Sequence, residues 1–241
     1  MNKLNKIQQH YSSVSLTYND FFSDSYRQWV VDLIIESLAL RSDDIVADIG
    51  GGTGLISHLI FKRVRLKNEV LCVDPSDSML AEIGRLKGVK PLCMDAHDFA
   101  EEKSGQYDKL LLKGMIHHLA DRISLWNKLS ERMNENGGLL IVTRPKTPSL
   151  PFFKGALASF SAGQPTSGLL VEELEETGFQ TEVAVQSYSV YLEKRRWYHL
   201  LQSRFMSNLY DFTDDEIEEG IAELEQLYFD KNVIKIRDDL L

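Results

Sequence analysis

The chain has 241 residues, of which 43% are apolar and 26% charged. That is the balance of a folded protein with room for one catalytic domain and an elaboration, not of a disordered or membrane-embedded chain. Lys and Arg total 27 against 36 Asp and Glu, a formal net charge of −9, which repels phosphate backbones and anionic lipid and argues against nucleic acid and membrane as partners.

The opening residues, Met1 to His10, are polar, and no run approaches about 18 consecutive apolar residues. Neither a secretory signal nor a spanning helix is expected, so the protein reads as cytoplasmic; the sequence leaves the oligomeric state open. Tyr11, Tyr18, Phe21 and Phe22 follow, and Trp29, Val30, Leu33, Ile34 and Leu38 then mark a helix that would pack on a sheet edge.

From Ile45 onward apolar runs alternate with helical patterns, the signature of βαβ units and a parallel sheet. Ile45–Ile49 reads as the first strand, Gly50–Gly54 as its loop, and Leu55 to about Lys62 as a helix. Val70–Val73 is the second strand, with Ser76 as N-cap of the helix behind it. Val89–Cys93 and Leu110–Leu112 are the third and fourth strands. Cys72 and Cys93 sit in or at the end of such runs, so both thiols are expected reduced and buried, with no disulfide framework and no CxxC metal site.

Leu125, Leu129 and Met133 put one face of a helix in the core, and Asn136-Gly137-Gly138 is expected to stop it before a fifth strand, Leu139–Val142. A helix from near Leu169 closes at Gly178-Phe179 and leads to a sixth strand ending near Tyr188. Beyond it, Trp197, Leu201, Phe205 and Leu209 recur every four residues, and Thr213 to Glu216 forms a capping box before a helix carrying Ile217, Ile221, Leu224 and Tyr228. Val233–Ile236 begins a last strand. The expected fold is α/β: a Rossmann-like, mostly parallel sheet with helices on both faces and a helical lid insertion near the C-terminus. The whole chain, 1–241, reads as a single domain with a cofactor-binding core at about 40–145 and a substrate lid drawn from 1–30, 145–168 and 190–230.

A glycine run between a buried strand and a helix turns sharply and lets a ligand approach the backbone closely. In Asp48-Ile49-Gly50-Gly51-Gly52-Thr53-Gly54 the glycines fall at alternate positions, 50, 52 and 54, rather than in the GxGxxG order of dinucleotide sites. Asp48 at the strand end works against a pyrophosphate but suits a ligand bearing an ammonium and a sulfonium, which favours S-adenosylmethionine over NAD. Asp74, at the end of the second strand, is placed to accept from ribose hydroxyls, and Asp95, after the third, from the exocyclic amine of adenine.

Residues from about Val46 to Val142 resemble the class I S-adenosylmethionine-dependent methyltransferases of the small-molecule type. The likeness is carried by Asp48–Gly54, Val70–Leu80, Asp95–Phe99 and Tyr107 through His117-His118-Leu119, four motifs in order. It implies that Gly50 and Gly52 line the methionine portion of S-adenosyl-L-methionine, that Asp74 holds the ribose and that Met79 packs on adenine, with Asp48, Gly51 and Pro75 also counted among the cofactor-binding residues. It further implies that Asp95 and Ala96 recognise the base and that Lys113 and Gly114 pass near the sulfonium. Tyr18, with Tyr11 as a second candidate, would close over the cofactor.

Methyl transfer is an in-line displacement, so alignment and exclusion of water supply much of the rate, and a general base matters when the acceptor must lose a proton. His117 is read as acting on a small-molecule acceptor and His118 as packing near the cofactor, since only one of two adjacent side chains is expected to face the pocket. Arg144, Lys194-Arg195-Arg196 and Arg204 either bind a substrate carboxylate or form a solvated charged face. Phe152, Phe153, Phe160, Tyr188, Tyr191, Trp197 and Tyr198 either wall an apolar pocket or belong to a core. Two other classes stay open: a cofactor-binding protein that has lost catalysis and serves as partner or regulator, and an NAD-dependent oxidoreductase suggested by fold likeness alone.

Overall fold

A computed structural model describes residues 23–241. Of these, 23–143 with Gly168–Glu182 form one compact unit, and Arg144–Ser167 with Val183–Leu241 form a second.

The first unit is built on five parallel strands, β1 (Val46–Ile49), β2 (Val70–Asp74), β3 (Val89–Cys93), β4 (Tyr107–Lys113) and β5 (Met133–Val142), in the order β3-β2-β1-β4-β5. The chain runs outward from β1 to β3, then returns to lay β4 on the other side of β1. This leaves a topological switch point beside β1, where open α/β sheets place their ligands. Helices flanking the sheet include α1 (Asp24–Ser37), α2 (Leu55–Val64), α3 (Asp77–Ala81), α4 (Ala96–Glu101) and α5 (Arg122–Glu131). All four residues of β1 are buried, as a strand covered on both faces requires. On one face Ala47, Ile49, Leu110 and Leu112 pack against Phe99 of α4 and Leu125, Trp126 and Leu129 of α5. Each Leu, Ile or Phe side chain among them contributes about 1.5–3 kcal/mol by leaving water. A smaller cluster of Cys72, Leu80, Ile83 and Val89 supports the β2 to β3 side.

The second unit contains α6 (Lys154–Gly163), the first residue of α7 (Ser167–Glu176), α8 (Lys194–Gln202), α9 (Asp214–Leu227) and an antiparallel pair, β6 (Gln186–Glu193) with β7 (Val233–Leu240). Thr213 and Glu216 form the expected capping box at α9. Phe152, Phe153, Phe160 and Trp197 are core residues of this unit, together with Leu201, Ile217, Leu224 and Ile236. No helix among the described residues is long and apolar enough to cross a membrane.

Tyr11, Tyr18, Phe21 and Phe22 lie outside the described residues. Several other expectations need correction. The helix stop at Asn136-Gly137-Gly138 is instead part of β5: α5 ends at Glu131, Met133 already pairs with Tyr107, and Gly138 pairs with Lys109. The intervening residues form an irregularity in which Asn136 takes φ +66, so a turn-forming pair serves as a bulge inside a strand. The sixth strand runs to Glu193 and pairs with β7 in a separate sheet. The alternation of Tyr188, Val190 and Leu192 with polar neighbours fits a half-exposed antiparallel pair better than a parallel strand buried on both faces.

The four-residue pattern from Trp197 to Leu209 is not one helix, because α8 ends at Gln202 and Arg204 takes φ +51. Arg204 instead donates through Nε and Nη2 to the Phe212 carbonyl. Cys93 is exposed, since β3 is an edge strand with one uncovered side.

Candidate functional site

The parallel register brings the C-terminal ends of four strands together. Ile49 pairs with Val73 and Leu112, Asp74 with Cys93, and Lys113 with Val142. The segments that follow these strand ends, Gly50–Gly54, Pro75-Ser76, Met94-Asp95 and Gly114-Met115, therefore emerge along one edge of the sheet.

The glycine loop is held from below by β2. The N–H groups of Gly50 and Gly51 both donate to the Val73 carbonyl, at 2.7 and 3.2 Å. Gly50, Gly52 and Gly54 take φ of +73, +57 and +70, a region that side-chain-bearing residues rarely enter, so the alternate spacing is a backbone requirement. Gly51 has a different reason to be glycine. A Cβ there would stand 2.6 Å from Cys72 Sγ and 2.9 Å from Asp48 Oδ2. The loop thus lies directly on the Cys72 thiol and the Asp48 carboxylate.

Asp48 is 2% exposed and its Oδ2 accepts from Ser57 Oγ of α2 at 2.6 Å. Burial pushes its carboxyl up to about 6; the Ser57 hydrogen bond and the Lys113 charge oppose this, while Asp74 adds to it. Asp74 accepts from two backbone donors, Gly52 N–H on Oδ2 at 3.0 Å and Ser76 N–H on Oδ1 at 2.9 Å. Burial raises its carboxyl above the ordinary value against the pull of those two donors. Ser76 is the N-cap of α3, as expected, and accepts from Met79 N–H. Met79 is buried, and its methyl would lie 3.0 Å from a Cβ on Gly52. The Pro75 carbonyl accepts from Cys93 Sγ at 3.8 Å.

Asp95 is the N-cap of α4, its Oδ1 accepting from His97 and Asp98 N–H at 2.8 and 2.9 Å; Ala96 beside it is buried. Gly114 takes φ +68 with nothing within 4 Å of an added Cβ, and its N–H donates to Val142. Beyond it a 3-10 turn, Ile116–His118, carries both histidines. Their rings do not diverge, as neighbours on a strand would: the centroids are 3.9 Å apart and both side chains are half-buried. Met115 links this turn to the glycine loop, its Cγ 2.8 Å from where a Gly50 Cβ would be.

Sequence reasoning missed three supporting residues: Ser57, Cys72 and Met115. Ser57 left a signal, being a hydroxyl within Leu55-Ile56-Ser57-His58-Leu59-Ile60 on the buried side of a helix; Cys72 and Met115 look like ordinary core. Arg144 is committed elsewhere, its guanidinium forming a two-pronged pair with Asp238 of β7 at 2.9 and 2.8 Å. Lys194 pairs with Glu225 and Arg204 with Asp214. Among the described residues no group of three or more His, Cys, Asp and Glu gathers to hold a metal ion.

A five-stranded parallel sheet in the order β3-β2-β1-β4-β5, with a glycine loop after β1 and carboxylates at the ends of β1 and β2 and just after β3, defines the Rossmann-like class of α/β domains. Residues 47–139 match the family model of the methyltransferase domain. The ubiquinone/menaquinone biosynthesis C-methyltransferase UbiE of Coxiella burnetii is 23% identical over 187 residues, covering 73% of this chain and 74% of that one. A solved structure from Anabaena variabilis, assigned to an antibiotic biosynthesis pathway as a methyltransferase, covers 88% of this chain and 95% of its own at TM-score 0.64 and 18% identity. The phosphoethanolamine N-methyltransferase 2 of Haemonchus contortus, solved with phosphomonomethylethanolamine and S-adenosylhomocysteine, covers 87% of this chain and 51% of its own at TM-score 0.53 and 16% identity. Residues 47–139 thus match a methyltransferase domain, and the chain shares the fold of S-adenosylmethionine-dependent methyltransferases.

Proposed function

We propose that the protein transfers the methyl group of S-adenosylmethionine to O, N or C of a small-molecule acceptor in the cytoplasm. The observation that carries this reading is the set of carboxylates Asp48, Asp74 and Asp95 after successive parallel strands, around backbone stripped of side chains at Gly50–Gly52. Such an acceptor set repels a pyrophosphate and fits an ammonium, a diol and an exocyclic amine. Two free thiols, Cys72 and Cys93, agree with a reducing compartment.

In this reading Asp48 attracts the ammonium of the cofactor's methionine portion, and Gly50, Gly51 and Gly52 offer it bare backbone. Asp74 accepts from the ribose hydroxyls beside Pro75, Met79 lies against adenine, and Asp95 with Ala96 reads the base edge. Lys113 and Gly114 border the sulfonium side, with His118 packed next to them; Tyr18 lies outside the described residues. Bound S-adenosylmethionine supplies an electrophilic methyl carbon on a sulfonium. His117 receives the proton of an acceptor that must lose one. Segments 145–168 and 190–230, outside the cofactor-binding core, select the acceptor. Ubiquinone/menaquinone precursors of the UbiE type and phosphorylated amines of the Haemonchus type are the first acceptors to assay.

Calorimetric titration with S-adenosylhomocysteine and with NAD tests the cofactor, and transfer of a tritiated methyl group to metabolite pools tests the reaction. Binding of S-adenosylhomocysteine, no response to NAD and a labelled small molecule are expected. Binding with no labelled acceptor would reduce the protein to a cofactor-binding partner, and NAD binding alone would overturn the reading.

A further inference from the structure

Asp48 is an unusual group to find at 2% exposure, because an ionised carboxylate loses several kcal/mol of hydration on burial unless donors replace the water. The groups facing it come from three elements. Ser57 of α2 donates to Oδ2 at 2.6 Å, Lys113 of β4 acts on it as a positive charge, and β2 contributes Cys72 and the Asp74 carboxylate, which repels it. Ser57 is itself 0% exposed. The same Oδ2 lies 2.9 Å from where a Cβ on Gly51 would stand, so the oxygen bonded by Ser57 is the one beneath the loop.

We propose that Ser57 is a positioning residue: its hydroxyl fixes the charged form and the rotamer of Asp48 under the glycine loop, and so sets how far the pH can fall before cofactor binding is lost. The inference rests on the reading that Asp48 meets the cofactor's ammonium. Protonated Asp48 has no charge to offer that ammonium. A hydrogen bond to the ionised form favours that form, and the alternative partners do not replace it, since the Cys72 thiol donates to the Gly52 carbonyl at 3.9 Å and Lys113 acts through charge. Removing the hydroxyl makes Asp48 take up a proton at a higher pH, while leaving the fully ionised site able to bind.

The test is the affinity for S-adenosylhomocysteine, measured by calorimetry from about pH 5 to pH 8.5, for the wild type, Ser57→Ala and Ser57→Thr. The wild type should lose up to ~10-fold per pH unit below an acid limb near 6. Ser57→Ala should move that limb upward while matching the wild type at pH 8.5, and Ser57→Thr, which restores a hydroxyl, should move it back. Titration of the Asp48 carboxyl carbon by NMR without ligand should show the same upward move for Ser57→Ala. An affinity lowered by one factor at every pH, or an unmoved limb, would overturn the inference and leave the cofactor reading standing. No binding by the wild type at any pH would overturn both.

Discussion

The backbone N–H of Gly52 donates to Asp74 Oδ2 across 3.0 Å, while the other carboxylate oxygen takes the N–H of Ser76. One side chain from the end of β2 thus holds the glycine loop after β1 and the entry to α3 in a fixed relation. Asp74→Ala should therefore weaken S-adenosylhomocysteine binding by roughly 2 kcal/mol, about 30-fold, from lost acceptors for the ribose and a loosened loop. Isothermal titration would reveal it, and an unchanged dissociation constant would remove Asp74 from the site.

Gly51 is close-packed rather than conformationally special. Gly51→Ala should lower the stability of the fold by about 1–3 kcal/mol, because the added methyl must displace Cys72 Sγ or Asp48. Pairing it with Cys72→Ala opens space on the sulfur side, so the double variant should recover part of the loss in denaturant melts. Equal stability of Gly51→Ala and wild type would contradict the contact.

Asp48 makes stability depend on pH with a sign opposite to that of a salt-bridged acid. Its folded value, about 6, lies above the ordinary 3.8, so the folded state binds the proton more tightly. The contribution is fully present below about pH 4 and is lost as pH rises through 6. Asp48→Asn carries no such proton. Urea unfolding should show the stability of wild type relative to Asp48→Asn improving as pH falls from 8 to 5, by about 1.4 kcal/mol. A difference independent of pH would show that Asp48 does not titrate in this window.

His117→Ala should reduce turnover far more than affinity for S-adenosylhomocysteine, since the group proposed to take the acceptor's proton is not among those proposed to hold the cofactor. Loss of affinity exceeding loss of turnover would instead make the closely packed, tilted His117–His118 pair a wall of the cofactor site.

Arg144 and Asp238 form a pair with side chains 15% and 0% exposed. Arg144→Ala leaves a buried carboxylate without its counter-charge and should cost about 3–5 kcal/mol, whereas replacing both partners by apolar residues of similar size should recover most of it. Chemical denaturation of the three proteins would separate this structural role from a substrate-binding one, which would leave stability unmoved.

Much of the cofactor half was legible because its signals are local. A strand buried on both faces is a run such as Ile45–Ile49 or Leu110–Leu112, and the positive φ at Gly50, Gly52 and Gly54 can be met cheaply only by glycine. Ser76 as an N-cap and Thr213 with Glu216 as a capping box are also matters of a few neighbouring residues. The errors arose where one residue type serves two structures. Asn136-Gly137-Gly138 suits a helix stop and a bulge equally, and only the pairing of Met133 with Tyr107 makes it the latter.

The order of strands and carboxylates along the chain was therefore set by the sequence alone, since strand length, glycine conformation and charge placement are decided within a few residues of themselves. The partners were decided by the tertiary structure: Ser57 beneath Asp48, Gly52 on Asp74, Met115 against Gly50, Asp238 rather than a ligand on Arg144, and β7 rather than the main sheet for β6. Such pairings depend on which distant segments are packed at one place, and a buried polar group takes whichever donor or charge the fold brings within reach.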